Sequence, residues 1–266
     1  WGSDILIFPD KSFLHKLFIN RIISKSDAIV CDAEVVKKKI LDICSYDNPL
    51  EVFPWGIDLS KFKKYNDESI IRKYSLEKSV VIISTRNHEK IYGIEVLLEA
   101  FSILSRKSPS AKLLLLGSGS LTGNYSEFIK KDNLEDKIKI VGRIPNSDLP
   151  LFLNNSDIYV STSFSDGTSV SLLEGMACGL PVIASNTGYF KEFLNAQDEE
   201  KACGNIVPLE DYKEASKEVV NLLSDKERFD KFSKNALLQV TKNYSALEEA
   251  KAINKVYEEL WGQEYN

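Results

Sequence analysis

Three observations predict an α/β fold in which a parallel sheet is covered by helices on both faces. Short apolar runs rich in β-branched residues recur along the chain, too short for helices and without the alternation of a half-exposed strand. Segments with apolar residues at helical spacing lie between them, an order that puts strands side by side with the connecting helices above and below. The chain has 266 residues, 43% hydrophobic and 27% charged, enough for one large or two modest domains with a real core.

Taken in order, the stretch 1–8 is strand-like, so the chain is expected to open inside an element, with the front of the protein missing. Residues 11–25 are basic and amphipathic, with Phe13, Leu14, Leu17, Phe18, Ile22 and Ile23 interleaved with Lys16, Arg21 and Lys25. A helix lying on a membrane surface is one reading. The half-buried helix of a packed domain is the other, favoured because a buried strand follows at once over 26–31. A Lys-rich helix is expected over 35–43, then the connecting phrase 51–60, Glu-Val-Phe-Pro-Trp-Gly-Ile-Asp-Leu-Ser. Strands are expected at 80–84, 113–116, 138–141, 158–160, 182–184 and 206–207. Ile94, Leu97, Leu98, Phe101 and Leu104 recur at helical spacing. The tail from Tyr212 reads as helical, its last segment spanning 246–261.

Charge and cysteine usage narrow the function. A net charge of −5 argues against nucleic acid as a partner, since phosphate-backbone binding needs a concentrated basic face. Cys31, Cys44, Cys178 and Cys203 have neither paired spacing nor a nearby His, so neither a disulfide framework nor a zinc site is expected. No apolar run reaches the length of a membrane span. A reduced, cytoplasmic setting is expected, extending to the inner face of the membrane.

Gly117-Ser118-Gly119-Ser120 invites a dinucleotide-binding reading, which fails on spacing. The third Gly should fall at 122, where Thr stands, and the ribose-binding acid should end the next strand, whereas Asp136 precedes it. These glycines read instead as a tight strand-to-helix turn.

The richest stretch is 157–185: a strand-like run, a small-polar turn with Asp166-Gly167, an apolar-periodic segment, a Gly-Leu-Pro stop and a second strand. Asp166 falls in the loop and Glu174 about two turns into the helix, so both can border one concavity at the C-terminal end of a strand. Between them the amides of Gly167, Thr168 and Ser169 open the helix and suit a phosphate. Phosphate-binding amides flanked by two hydroxyl-accepting carboxylates are what a nucleotide-sugar diphosphate needs.

This phrase resembles the acidic motif of the retaining glycosyltransferases of family 4 (group 1). There, two acids separated by seven residues stand in a phrase ending in small residues and Gly-Leu-Pro-Val-Ile-Ala; Asp166, Glu174 and 179–184 match it. The first acid is Asp here and usually Glu in the family, shorter by one C–C bond, ~1.5 Å. The phrase 51–60 resembles the family's interdomain connection. The resemblance implies a GT-B fold of two Rossmann-like domains. Residues 1–54 would be the remnant of the N-terminal, acceptor-side domain, 55–244 the donor-binding domain, and 245–266 a helix crossing back toward the N-terminal domain.

The resemblance also implies roles. Glu174 would accept the ribose hydroxyls, Asp166 hydroxyls of the transferred sugar, and the amides of Gly167, Thr168 and Ser169 would hold the diphosphate with Arg86. The family has a Lys just before the Gly that opens the next helix; Tyr92 stands there, with Lys90 two residues early as the alternative diphosphate cation. The nucleobase would lie by Gly142, Arg143 and Ile144. The segment 186–192 resembles the family's Gly-Gly-x-x-Glu turn with Thr187 for the first Gly, which makes Glu192 a weaker site residue. His88 reads as a loop residue.

The implied activity is retaining sugar transfer from a nucleotide sugar, with a UDP-sugar the first expectation and a GDP-sugar the second. It would need no cofactor and no metal, since no Asp-x-Asp pair stands in the right context, and would serve cell-surface polysaccharide or glycolipid synthesis. The acceptor would be a saccharide or a lipid-linked group, with peripheral membrane contact through the N-terminal domain, and this chain alone is expected to be inactive. Two alternatives stay open: a nucleotide-sugar epimerase of the same fold, and a non-catalytic nucleotide-sugar-binding module.

Overall fold

The computed structural model describes residues 2–187 and 190–264. Strands β1 (Ile29–Cys31) and β2 (Leu50–Val52) form a separate parallel pair, flanked by helices α1 (Gly2–Leu6), α2 (Phe13–Ile23) and α3 (Glu34–Ile43). Ile19, Ile23, Cys31, Val36, Ile40 and Ile43 make the cluster that holds this unit together. The strand-like stretch 1–8 is corrected: α1 and a 3-10 turn, Phe8–Lys11, occupy the described part of it, Trp1 lying outside the described residues. Ile5, Leu6 and Phe8 bury against the cluster without a neighbouring strand, and only a helix satisfies its own backbone in that setting. On α2, Ile19 and Ile23 face inward while Phe13, Leu14, Leu17, Phe18 and Ile22 are exposed.

The larger unit begins with α4 (Ser69–Tyr74) and β3 (Val80–Ser84), then α5 (Ile94–Lys107), β4 (Ala111–Leu116), α6 (Thr122–Lys131) and β5 (Ile138–Gly142). It continues through α7 (Leu149–Asn154), β6 (Ile158–Ser161), α8 (Val170–Ala177), β7 (Val182–Ser185), α9 (Phe190–Phe193) and β8 (Gly204–Val207). Helices α10 (Tyr212–Ser224), α11 (Lys226–Asn243) and α12 (Ala246–Glu264) end the chain. The six strands are all parallel, in the order β5-β4-β3-β6-β7-β8.

Both faces of this sheet are buried, and successive side chains serve opposite cores. Val81, Ile83, Leu114, Leu116, Tyr159, Val182 and Ala184 pack under α8 and α11. Ile82, Leu113, Leu115, Ile158, Val160 and Ile183 pack under α5 and α10. This double burial is why the inner strands β3, β6 and β7 read as apolar runs broken only at their final serines. The four cysteines are free; burial pushes the Cys31 thiol up to about 11 and those of Cys178 and Cys203 up to about 12.

The linker between the units is tied to the start of the last helix. Ile57 N–H donates to Tyr244 O at 2.7 Å and Ala246 N–H to Ile57 O at 3.0 Å, while Glu249 accepts from Gly56 N–H. From there α12 runs alongside the first unit: Ile253, Val256, Tyr257 and Leu260 line a cavity of about 630 Å³ with Val30, Cys31, Phe53 and Trp55. Among the described residues no helix is long and apolar enough to cross a membrane.

Candidate functional site

The strand order sets where a ligand site can form. From β3 the chain winds outward to β4 and β5, then returns to place β6 on the other side of β3. Loops leaving two such neighbouring strands diverge, and open parallel sheets bind ligands in that crevice beyond the carboxyl ends. Arg86 follows β3 and Asp166 follows β6, one on each side of it.

Backbone contacts draw the two loops together. Phe164 N–H donates to Ile91 O at 2.8 Å, and Thr162 Oγ1 to Gly93 O at 2.8 Å. Gly93 has φ +57°, and a Cβ there would stand 2.3 Å from Thr162 O, so the junction requires glycine twice over. The result is a cleft of about 530 Å³ lined by Asp32, Trp55, Thr85, Arg86, Tyr92, Asp166, Gly167, Thr168, Ser171 and Glu174.

Arg86 is the centre of that cleft. One terminal nitrogen donates to Asp166 Oδ2 at 2.6 Å; the other donates to Ser169 Oγ and Ser171 Oγ, both at 2.8 Å. The Tyr92 ring lies under the guanidinium, 4.3 Å from its carbon, in cation–π contact. Arg86 Nε has no hydrogen-bond partner among the described residues, a buried donor in reserve for an anion. Burial pushes the Asp166 carboxyl above its ordinary range despite the adjacent guanidinium.

Glu174 shares the cleft from the second turn of α8, whose buried side rests on Tyr159 and the sheet. The helix stops at Gly179, φ +81°, where Gly179 N–H and Leu180 N–H cap Met176 O and Gly175 O, as the Gly-Leu-Pro stop predicts. Burial pushes the Glu174 carboxyl up to about 7, against the lowering pull of a hydrogen bond from Asn146 and the charge of Lys61. Lys61 in turn donates to Asn146 Oδ1. The Tyr159 hydroxyl, fully buried, bonds Thr85 Oγ1 at 3.0 Å and Ser171, bracing Arg86 from below.

Arg86, Asp166, Gly167, Thr168 and Glu174 are thus brought together, and Ser169 reaches them through Arg86. Other expected residues fall elsewhere. Lys90 is exposed and does not line the cleft; the short 3-10 turn Lys90–Tyr92 points Tyr92 inward instead. Gly142 ends β5, the outermost strand on that side, and Arg143 and Ile144 follow it; none of the three lines the cleft, although Asn146 of the same loop bonds Glu174. Glu192 is exposed near Glu34, whose charge helps raise its carboxyl after burial; Gly188 and Tyr189 of its turn lie outside the described residues. His88 is buried, bonded through Nδ1 to Thr122 Oγ1 at 2.9 Å and edge-on to Tyr125. The Gly-Ser-Gly turn is filled from within, Glu89 accepting from Ser120 N–H at 2.8 Å and from its hydroxyl at 2.6 Å.

The Thr168 amide is likewise engaged. Its N–H donates to Asp32 Oδ2 at 2.9 Å and its hydroxyl to Asp32 O at 2.6 Å, so it is not an open phosphate donor in this state. No sequence signal pointed to Asp32, Asn146, Lys61 or Tyr159, which join the site only through space.

The family model for glycosyl transferases group 1 matches residues 66–239, well over half of the chain. The chain belongs to the glycosyl transferases group 1 family. It is 26% identical over 190 residues to the alpha-monoglucosyldiacylglycerol synthase of Streptococcus pneumoniae, covering 68% of this chain and 42% of that protein. It is 27% identical over 223 residues to the lipopolysaccharide core biosynthesis mannosyltransferase LpsB of Rhizobium meliloti, covering 80% of this chain and 62% of that protein. The chain therefore spans roughly half the length of these relatives. Its fold matches that of HepE from Anabaena, solved in complex with UDP-glucose, with a TM-score of 0.86 at 16% identity over 97% of this chain and 71% of that one. That likeness makes the larger unit a Rossmann-like domain of the GT-B fold.

Proposed function

We propose that this chain is the donor-binding half of a retaining, metal-independent glycosyltransferase of family 4, taking its sugar from a UDP-sugar. The observation that carries this reading is the meeting of Arg86, Asp166 and Glu174 around one cleft at the switch point of a group 1 glycosyltransferase sheet. In this reading residues 1–54 belong to the acceptor-side unit, 55–244 form the donor unit and 245–266 the returning helix.

The chemistry follows from charge. Breaking a glycosidic bond to a nucleoside diphosphate delivers negative charge to the leaving phosphate, and a guanidinium preset in a cleft stabilises it without reorganising. Arg86 in its ligand-free pairing is held by Asp166. As diphosphate takes over the guanidinium, Asp166 is released to accept hydroxyls of the sugar, and Glu174 accepts those of the ribose. HepE, solved with UDP-glucose, supports a UDP-sugar as the donor, and the relatives named for sugar transfer support the reaction class.

UDP is expected to bind this chain saturably and to raise its melting temperature, read by isothermal titration calorimetry and a thermal melt. If neither UDP nor GDP at millimolar concentration does so, the donor reading is wrong. Lys90→Ala is expected to leave UDP affinity within twofold. Tyr92→Ala, which takes the ring off the guanidinium, is expected to weaken it roughly tenfold, the upper range of a partly buried cation–π contact.

A further inference from the structure

Asp32 follows β1 in the two-stranded unit, yet its carboxylate sits in the donor loop of the six-stranded sheet, 136 positions away at Thr168. It is 6% exposed. Oδ2 accepts the Thr168 N–H at 2.9 Å, while Oδ1 has no hydrogen-bond partner among the described residues. Gly167 permits this approach: a Cβ there would stand 2.6 Å from Oδ2 and 3.1 Å from Oδ1. The neighbouring carboxylate is Asp166, which pairs with Arg86 at 2.6 Å; among the described residues Arg86 makes no ion pair with Asp32.

The carboxylate thus has one amide donor, one oxygen without a partner among the described residues, and the Asp166 carboxylate beside it. A diphosphate entering the same cleft offers the amide an equivalent acceptor while bringing its own charge to Arg86.

Resting on the donor reading above, we propose that Asp32 competes with the donor diphosphate: its carboxylate holds the Thr168 amide when the cleft is empty, and donor binding expels it.

The test is UDP affinity, by calorimetry, of the chain and of its Asp32→Asn and Asp32→Ala variants, with a thermal melt of each. Asparagine keeps the shape and an acceptor for Thr168 N–H but removes the charge. Both variants are expected to bind UDP at least tenfold more tightly than the parent, alanine more so than asparagine. If Asp32 only braces the loop, Asp32→Ala melts lower and binds UDP more weakly while Asp32→Asn restores the parent's affinity, and the proposal is overturned. Equal affinity in all three proteins overturns it as well and leaves the donor reading intact. Absence of UDP binding in all three removes the donor reading and this inference with it.

Discussion

Replacing Glu174 with glutamine is expected to stabilise the ligand-free chain at pH 8 and, in the same protein, to weaken its hold on UDP. Glu174 is 7% exposed, and burial raises its carboxyl from an ordinary 4.5 to about 7. Its folded value lies above its unfolded one, so the stability contributed by the neutral carboxyl is complete below about pH 4.5 and is lost as the pH rises through 7. Above that, keeping the charge buried costs on the order of 3 kcal/mol. Glutamine has no charge to bury. Thermal melts should therefore show the variant and the parent nearly equal at pH 4.5, with the variant ahead by roughly 6 °C or more at pH 8. A gap that does not change with pH would mean that Glu174 is not carrying its charge in the cleft.

The affinity moves the other way. Two hydroxyls donating to a carboxylate contribute roughly 1.5–3 kcal/mol each, and an amide oxygen recovers only part of that. UDP should bind Glu174→Gln about tenfold to a hundredfold more weakly at pH 8, and Glu174→Ala more weakly still. Affinity within a factor of two ends the ribose assignment. A residue whose removal improves the empty fold and damages the loaded one is being kept for the ligand.

The sequence was legible wherever burial was complete. Val80–Ser84 is a strand in both readings because both its faces are covered, leaving Val80 to Ile83 uninterrupted by a polar residue. The helix carrying Glu174 was legible from its stop signal at Gly179, where a left-handed residue is needed. The stretch 1–8 was misread because Ile5, Leu6, Ile7 and Phe8 satisfy either period over so short a span; only the absence of a neighbouring strand decides for helix. Within the site, Arg86 and Asp166 were legible because each lies in a loop that follows a strand at the ligand edge, and Glu174 because its spacing from Asp166 puts it in the second turn of the helix behind that loop. Asp32 was not, since its role depends on how a second unit folds back on the Gly167 loop, and no local pattern encodes that contact. Tyr92 and Lys90 differ by the turn of a single 3-10 segment, too fine a distinction for spacing to draw.

Arg86→Met should damage folding and binding together, and a second substitution should separate the two. The guanidinium is 9% exposed and satisfies Asp166, Ser169 and Ser171 while resting on Tyr92. Without it Asp166 is left as a mostly buried carboxylate with no cation. Breaking such a pair from one side typically costs about 3–5 kcal/mol. Asp166 can escape part of this by holding its proton, and its carboxyl is already raised by burial, so the loss should deepen as the pH climbs through the further-raised value and shrink in acid. Adding Asp166→Asn removes the stranded charge, and the double variant should recover most of the parent's melting temperature. It should not recover UDP affinity, which is expected to stay at least tenfold below the parent because the cation that meets the diphosphate is gone. A double variant that regains both would make Arg86 a brace for the loop and nothing more. One that regains only stability separates the two jobs of a single side chain: neutralising Asp166 while the cleft is empty, and the leaving phosphate once it is filled.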